Sequence, residues 1–422
     1  RDRLDAPDDP AGIAIAALSS GLTDATGGPD RRAAAIEFAA LLDQIRGQAG
    51  FESFLLPPEP DELTRHAAQG PIAVFNISRY RSDVLLITTE AITHLPLPEL
   101  NAQDVADKID EFETAIDATK STNWLTAEAG EDSLSEILEW LWDVAMWPVL
   151  RQLGHIDAHP EGQPWPQIWW VPGGLLSLLP LHAAGYHRQA TGETVLDRVI
   201  SSYTPTVRAL AHARDRAPGR PPRRTLLVGM PTTPGESALP NVHAELSMLE
   251  ESLPSPIKLI QQTNSAVVSE LPNAEIAHFS CHGISNPGDP SNSMLLLEDH
   301  HENPFTVACL IPIQLQHAQL VYLSACETAR NTAFELLDEA IHLASAFQLA
   351  GYPHVIGTLW TINDRLAVDV SRAFYAGLTT RDGDLDVSGS AEALHHAVRK
   401  LRTNWEFTPT PSRWAAYIHS GG

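Results

Sequence analysis

From Thr225 onward, short apolar runs alternate with helix-period segments: "TLLVGM", "VHAELSMLEESL", "EIAHFS", "SMLLLED", "AQLVYLSAC", "DEAIHLASAFQLAG", "HVIGTLW" and "RLAVDVSRAFYAGL". The runs are apolar at consecutive positions rather than at every second one, so both faces of each strand are expected to be buried. Strands of that kind separated by helices predict a mostly parallel central sheet covered on each side, a three-layer α/β domain. Reacting groups in such sheets sit on loops at the carboxyl ends of strands. Two strand ends stand out. "HFSCHG" brings His278, Cys281 and His282 together, and "YLSACETA" puts Cys326 just past a strand and ahead of a helix expected over Phe334 to Ala350.

The pattern upstream is different. "DRRAAAIEFAALLDQIRG" spaces Ala34, Ile36, Phe38, Leu41 and Ile45 at three- and four-residue steps, which predicts an amphipathic helix within a helical segment over residues 1–50. After "LLPPEPDEL", the runs "PIAVFNIS" and "SDVLLITTEAITHLPL" predict consecutive strands. Two helices should follow, the first capped by Asn101 and the second by Ser133 or Ser135. "PQIWWVPGGLLSLLPLHAAGYH" reads as a buried hairpin turned by Pro-Gly-Gly. The basic, proline-rich "RDRAPGRPPRR" has no periodicity and reads as a linker or surface loop. Three parts are therefore expected: 1–50 helical, 51–220 a mixed α/β region, and 221–422 the parallel-sheet domain.

Charge narrows the partners. With 28 Lys and Arg against 53 Asp and Glu, the net charge of −25 would repel phosphate backbones and anionic lipid, which argues against nucleic acid and membrane surfaces as partners. No apolar run reaches the roughly 18 to 20 residues that span a bilayer, and no signal-peptide pattern opens the chain, so a cytoplasmic location is expected. The chain starts at Arg1 rather than Met, which suggests further sequence upstream. Its 3 cysteines, Cys281, Cys309 and Cys326, cannot form a disulfide framework and are either core filler or reactive thiols.

A Cys–His pair is what thiol acyl transfer needs: imidazole takes or gives the proton while thiolate attacks a carbonyl. If the two strands are neighbours, His282 and Cys326 converge on one crevice, and Gly283 allows close substrate approach and offers an oxyanion N–H. Spacing alone leaves other readings open. A metal site could draw on His278, Cys281 and His282 with Cys309, His300 or His301, but on a strand Cys281 faces away from the two histidines. Cys281 as a nucleophile beside His282 fails because adjacent side chains diverge, and a buried structural thiol fits it better. "LLVGMPTTPGES" lacks the Lys-Ser/Thr of a P-loop and the spacing of a dinucleotide fingerprint.

"HFSCHG", "LVYLSACETA", "EAIHLASAFQLAGYPHVIGTLWTINDRLA" and "ALHHAVRKLR…WAAYIHSG" together resemble the CHAT domain, a caspase-like clan CD cysteine peptidase often found behind tetratricopeptide repeats. The likeness runs in order over about residues 160 to 422, and "GPIAVFNISRYRSDVLLIT" resembles the region before the peptidase in fungal members. It implies a caspase-like α/β/α sandwich with a mostly parallel sheet, a pseudo-peptidase-like character for 51–220, and an upstream repeat array of which 1–50 is the end. It implies Cys326 as nucleophile, His282 as base or proton donor, and an oxyanion hole from the backbone N–H groups of Gly283 and Cys326, with no third carboxylate, metal or cofactor. "LPNVHAELSMLEESL" resembles the family's helix with a glutamate, here Glu245, to which no role beyond structural pairing is assigned. In the related separases the "LWDVTD" segment carries an acidic residue that receives a basic substrate side chain. "LWTINDRLA" presents Asp364 there, although Asp364 also stands where a helix N-cap would go. Trp360 is expected either to wall that pocket or to belong to the core. The function implied is an endopeptidase that cleaves a protein substrate after a basic residue in a defence or cell-death pathway, under an upstream sensor. The alternative is an inactive interaction module of a repeat-containing signalling protein.

Overall fold

The computed structural model describes residues 29–404 and 410–422 apart from breaks at 49–50, 53, 161, 190, 217–219, 286–291, 311–312, 314, 325 and 330–342. The chain divides into a unit over 1–63 and one over 64–422. In the first, the alanine-rich segment forms the helix Pro29–Arg46, with Ile36 and Leu41 exposed, and Arg46 Nε donates to the Phe54 carbonyl at 2.8 Å.

The second unit is built on β1 (Ile72–Ile77), β2 (Ser82–Ile87), β3 (Ile92–Pro96), β4 (Gln167–Val171), β5 (Ile200–Tyr203), β6 (Thr225–Gly229), β7 (Pro256–Ile260), β8 (Ile276–Ser280), β9 (His282–Ser285), β10 (Met294–Leu296), β11 (Phe305–Thr306), β12 (Leu320–Leu323), β13 (Cys326–Ala329), β14 (His354–Thr358) and β15 (Tyr417–Gly421). One 11-stranded sheet runs β3-β2-β1-β4-β5-β15-β14-β12-β8-β6-β7, and a 4-stranded sheet runs β11-β10-β9-β13. The large sheet is mostly parallel; its antiparallel pairs are β1 with β2, β2 with β3, and β14 with β15.

The runs that are apolar at consecutive positions do bury both faces. Leu227, Ile276, Leu320, Tyr322 and Ile356 face one cluster with Leu246, Leu249, Val370 and Phe374, from the helices Val242–Ser252 and Asp364–Leu378. The alternating positions Leu226, Val228, Ala277, Phe279, Val321 and Val355 face a second cluster with Val267 and Phe347, from the helices Asn264–Glu270 and Leu343–Ala350. Helices on both faces of a mostly parallel sheet make the three-layer sandwich, with a helical and mixed α/β region ahead of it.

The last strand joins the two halves of the sheet. β15 pairs antiparallel with β14 and parallel with β5, and Trp169 Nε1 donates to the Gly421 carbonyl at 2.8 Å. Gly421 has φ +129°, and a Cβ there would lie 1.9 Å from the Pro353 carbonyl oxygen, which is why the tail reads "HSGG".

Two local expectations are corrected. The Pro-Gly-Gly segment makes no hairpin: β4 pairs in parallel with β1 and β5, and "LLSLLPLHA" folds into 3₁₀ turns that bury Leu176, Leu179 and Leu181. Short apolar runs do not distinguish a strand from a buried turn. Asn101 caps its helix by accepting from the Asp104 N–H, but the next helix begins at Trp124 behind Asn123. Ser133 and Ser135 are interior, their hydroxyls donating to the Ala129 and Glu131 carbonyls four residues back, where serine is also accommodated.

Candidate active site

β8 and β12 are parallel neighbours, with Leu323 opposite Phe279, so their carboxyl ends lie side by side. Each chain then breaks for one or two residues and enters the small sheet: β8 leads through Cys281 into β9, and β12 leads past Ser324 into β13. β9 and β13 are again parallel, and their register pairs Cys326 with His282 and Glu327 with Gly283. Residues paired in this way stand on backbones about 4.8 Å apart. The Cys326 side chain lies outside the described residues; its backbone is fixed by this register.

The half-buried His282 ring is held from the loop after β6. Its Nε2 lies 2.8 Å from the Ser237 carbonyl oxygen. A carbonyl can only accept, so Nε2 carries the proton and the lone pair of the neutral ring sits on Nδ1. The loop is pinned at its root by Met230 N–H to the Ser280 carbonyl and Leu239 N–H to the Pro231 carbonyl, both 2.9 Å. Residue typing could not have found Ser237, because a main-chain carbonyl leaves no mark in sequence.

The crowding of "HFSCHG" is resolved by the two faces of β8. His278 is fully buried on the Glu245 side, stacked on Tyr322 at 4.9 Å with Nδ1 3.2 Å from the Tyr375 hydroxyl. Cys281 is buried in the opposite cluster, beside β10. Cys309 lies among Thr306 and the Pro304 carbonyl. Among the described residues no group of three His, Cys, Asp or Glu side chains is placed to hold a metal ion.

Beneath the two strand ends sits Glu245, 2% exposed, on the helix Val242–Ser252. Ser280 Oγ donates to its carboxylate at 2.6 Å, Ser324 Oγ at 3.1 Å, and His278 Nε2 lies 3.3 Å away. Burial raises the Glu245 pKa, but the His278 imidazole and the Ser280 and Ser371 hydroxyls outweigh it and hold the carboxyl below its ordinary range. The same burial, with the Glu245 charge nearby, pushes the Tyr322 and Tyr375 hydroxyls well above theirs. A signal for this network was present in the sequence: serine stands two residues before each member of the pair, in "SCH" and "SAC".

Asp364 is half-buried at the first turn of the helix Asp364–Leu378. The N-cap is Asn363, whose side chain accepts from the Arg365 N–H, and this leaves the Asp364 carboxylate to accept from the Asn241 N–H at 3.1 Å. Asp364, Glu245, Ser280, Ser324, Leu239 and Ile362 line one small cavity. Trp360 is 6% exposed in the main core, edge-on to Phe112 at 5.4 Å, with Nε1 donating to the Ser412 carbonyl at 2.8 Å.

A family profile for the CHAT domain matches residues 135–422. The chain belongs to the CHAT domain family. Solved structures similar to this CHAT protein include two of the Saccharomyces cerevisiae separase-securin complex, at 3.0 and 2.6 Å resolution. Both are 12% identical to it, with TM-scores of 0.60 and 0.58; they cover 90% and 85% of this chain but only 31% and 30% of the separase chain. This shared architecture is that of the caspase-like fold. No curated protein matches the CHAT chain in sequence. No helix among the described residues is long and apolar enough to cross a membrane.

Proposed function

We propose that this CHAT protein is a cysteine endopeptidase in which Cys326 and His282 form the catalytic dyad. The observation that carries the reading is the register of β13 on β9, which sets the Cys326 backbone beside that of His282 at the carboxyl ends of two neighbouring sheet strands. In this mechanism the Cys326 thiolate attacks the carbonyl carbon of the scissile peptide bond. His282 Nδ1 takes the thiol proton as the thiolate forms and passes it to the departing amine when the C–N bond breaks; water then hydrolyses the thioester and frees the thiol. The N–H groups of Gly283 and Cys326 are assigned to the developing oxyanion. The Ser237 carbonyl fits this scheme, because it fixes the tautomer and leaves Nδ1 as the site of proton exchange.

The Asp364 carboxylate is assigned to a basic side chain at the cleaved position, through a charge-assisted hydrogen bond. Trp360 is assigned to support of that region from the core rather than to substrate contact, in keeping with its burial. The substrate is a protein, and defence or cell death under an upstream repeat-borne sensor is the setting we assign. Profiling a peptide library with wild-type protein and Cys326→Ala in parallel tests the reading. Cleavage that disappears in the folded variant is expected, whereas an unchanged rate would remove Cys326 from the mechanism.

A further inference from the structure

We propose that Glu245 is a positioning residue whose carboxylate clamps the ends of β8 and β12 through Ser280 and Ser324, thereby setting the spacing between His282 and Cys326. The inference rests on the peptidase reading above for its kinetic part.

The geometry carries it in three steps. First, one carboxylate takes hydroxyl donors from the ends of two different strands, Ser280 as the last residue of β8 at 2.6 Å and Ser324 as the first residue after β12 at 3.1 and 3.3 Å. These are the last polar groups before each strand passes into the small sheet. Second, each serine stands two residues before a member of the proposed dyad, His282 or Cys326. On the β8 side the intervening Cys281 is anchored in the opposite cluster, so a shift of Ser280 passes into the adjoining main chain of His282. Third, the carboxylate is itself rigidly held: His278 lies against it at 3.3 Å, and its helix is tied at the start by the Asn241 N–H on Asp364. Hydrogen bonds to an ionised acceptor in a buried site are short and directional, so they hold two strand ends more tightly than apolar packing does. The same helix follows the loop that presents the Ser237 carbonyl, so a single element supports both the imidazole and the strand spacing.

Misplacing reacting groups by about 1 Å costs on the order of 100-fold in rate. Glu245→Gln keeps the shape but presents an amide where hydroxyls donate, so kcat should fall about 10- to 100-fold with KM within about twofold. Ser324→Ala and Ser280→Ala each remove one donor without adding bulk and should lower kcat by smaller factors in the same direction. The experiment measures kcat and KM on the best library peptide. In parallel, mass spectrometry follows the rate of Cys326 alkylation by iodoacetamide against pH. In the variants the alkylation profile is expected to move toward that of an ordinary thiol, near pH 8.5. Lowered thermal midpoints with wild-type kcat and an unmoved profile would overturn the positioning role, as would a loss confined to KM. If wild-type protein cleaves no peptide, the peptidase reading falls. The alkylation arm then decides the clamp alone: a shifted profile upholds it and an unmoved one refutes it.

Discussion

Asp364→Asn separates a specificity carboxylate from a loop anchor. The Asp364 carboxylate accepts the Asn241 N–H at 3.1 Å, and an asparagine at 364 still offers a carbonyl oxygen to that donor while removing the charge. The helix start, and the Ser237 loop that precedes it, should therefore stay in place. A hydrogen bond to a charged group contributes roughly 1.5–3 kcal/mol, which corresponds to about 10- to 150-fold in kcat/KM. Asp364 is only half-buried, so water screens part of this and the lower end, about tenfold, is expected. The assay compares kcat/KM of wild-type and Asp364→Asn protein on matched peptides carrying Arg, Lys, Gln or norleucine at the cleaved position. The loss should be confined to Arg and Lys. An equal loss on all four peptides would make Asp364 a loop anchor only, and an acidic preference in the wild-type protein would refute the pocket assignment outright.

Trp360→Phe keeps most of the buried ring but leaves the Ser412 carbonyl without its 2.8 Å donor, so it should cost about 1–3 kcal/mol of stability, read as a lowered thermal midpoint, with KM unchanged. A several-fold rise in KM without a change in midpoint would instead place the indole at the substrate. His187 is buried, donating from Nε2 to the Ala183 carbonyl with Nδ1 facing Arg402; burial, and then the Arg402 charge, lower its pKa from 6.5 to about 4. The unfolded chain thus takes up a proton that the folded one refuses at this residue, so the His187 contribution to stability is full above pH 6.5 and falls by about 1.4 kcal/mol per unit as pH drops from 6.5 to about 4. Denaturation midpoints measured across that window should fall less steeply in His187→Gln, and identical slopes would refute the assignment.

Several features of the protein were legible in the chain itself. Runs such as "IAHFS", "LVYL" and "HVIGT", apolar at every position, can be satisfied only in strands buried on both faces, so the parallel three-layer sandwich followed from local pattern. The two strand ends that carry His282 and Cys326 were visible for the same reason, and the Asn101 cap was visible from its residue type at a helix start. Segments in which apolar content has no definite period were misread. "GLLSLLPLHA" buries Leu176, Leu179 and Leu181 through 3₁₀ turns, and Ser133 and Ser135 satisfy their hydroxyls inside a helix as well as they would at its start.

What only the tertiary structure decided is which groups from distant parts of the chain share one place. The pairing of Cys326 with His282 depends on β12 lying next to β8 and on the register of β13, neither of which is encoded at the strand ends themselves. The Ser237 carbonyl is main chain, so no residue type announces it. Glu245 was an unassigned acid on a helix until the fold closed it beneath Ser280, Ser324 and His278, where withdrawal from water makes a carboxylate a strong and directional acceptor. Local pattern determines which face of each element is buried, because that depends only on the element's own period. Long-range register and the partners of a buried charge depend on how the elements pack, and so they belong to the fold.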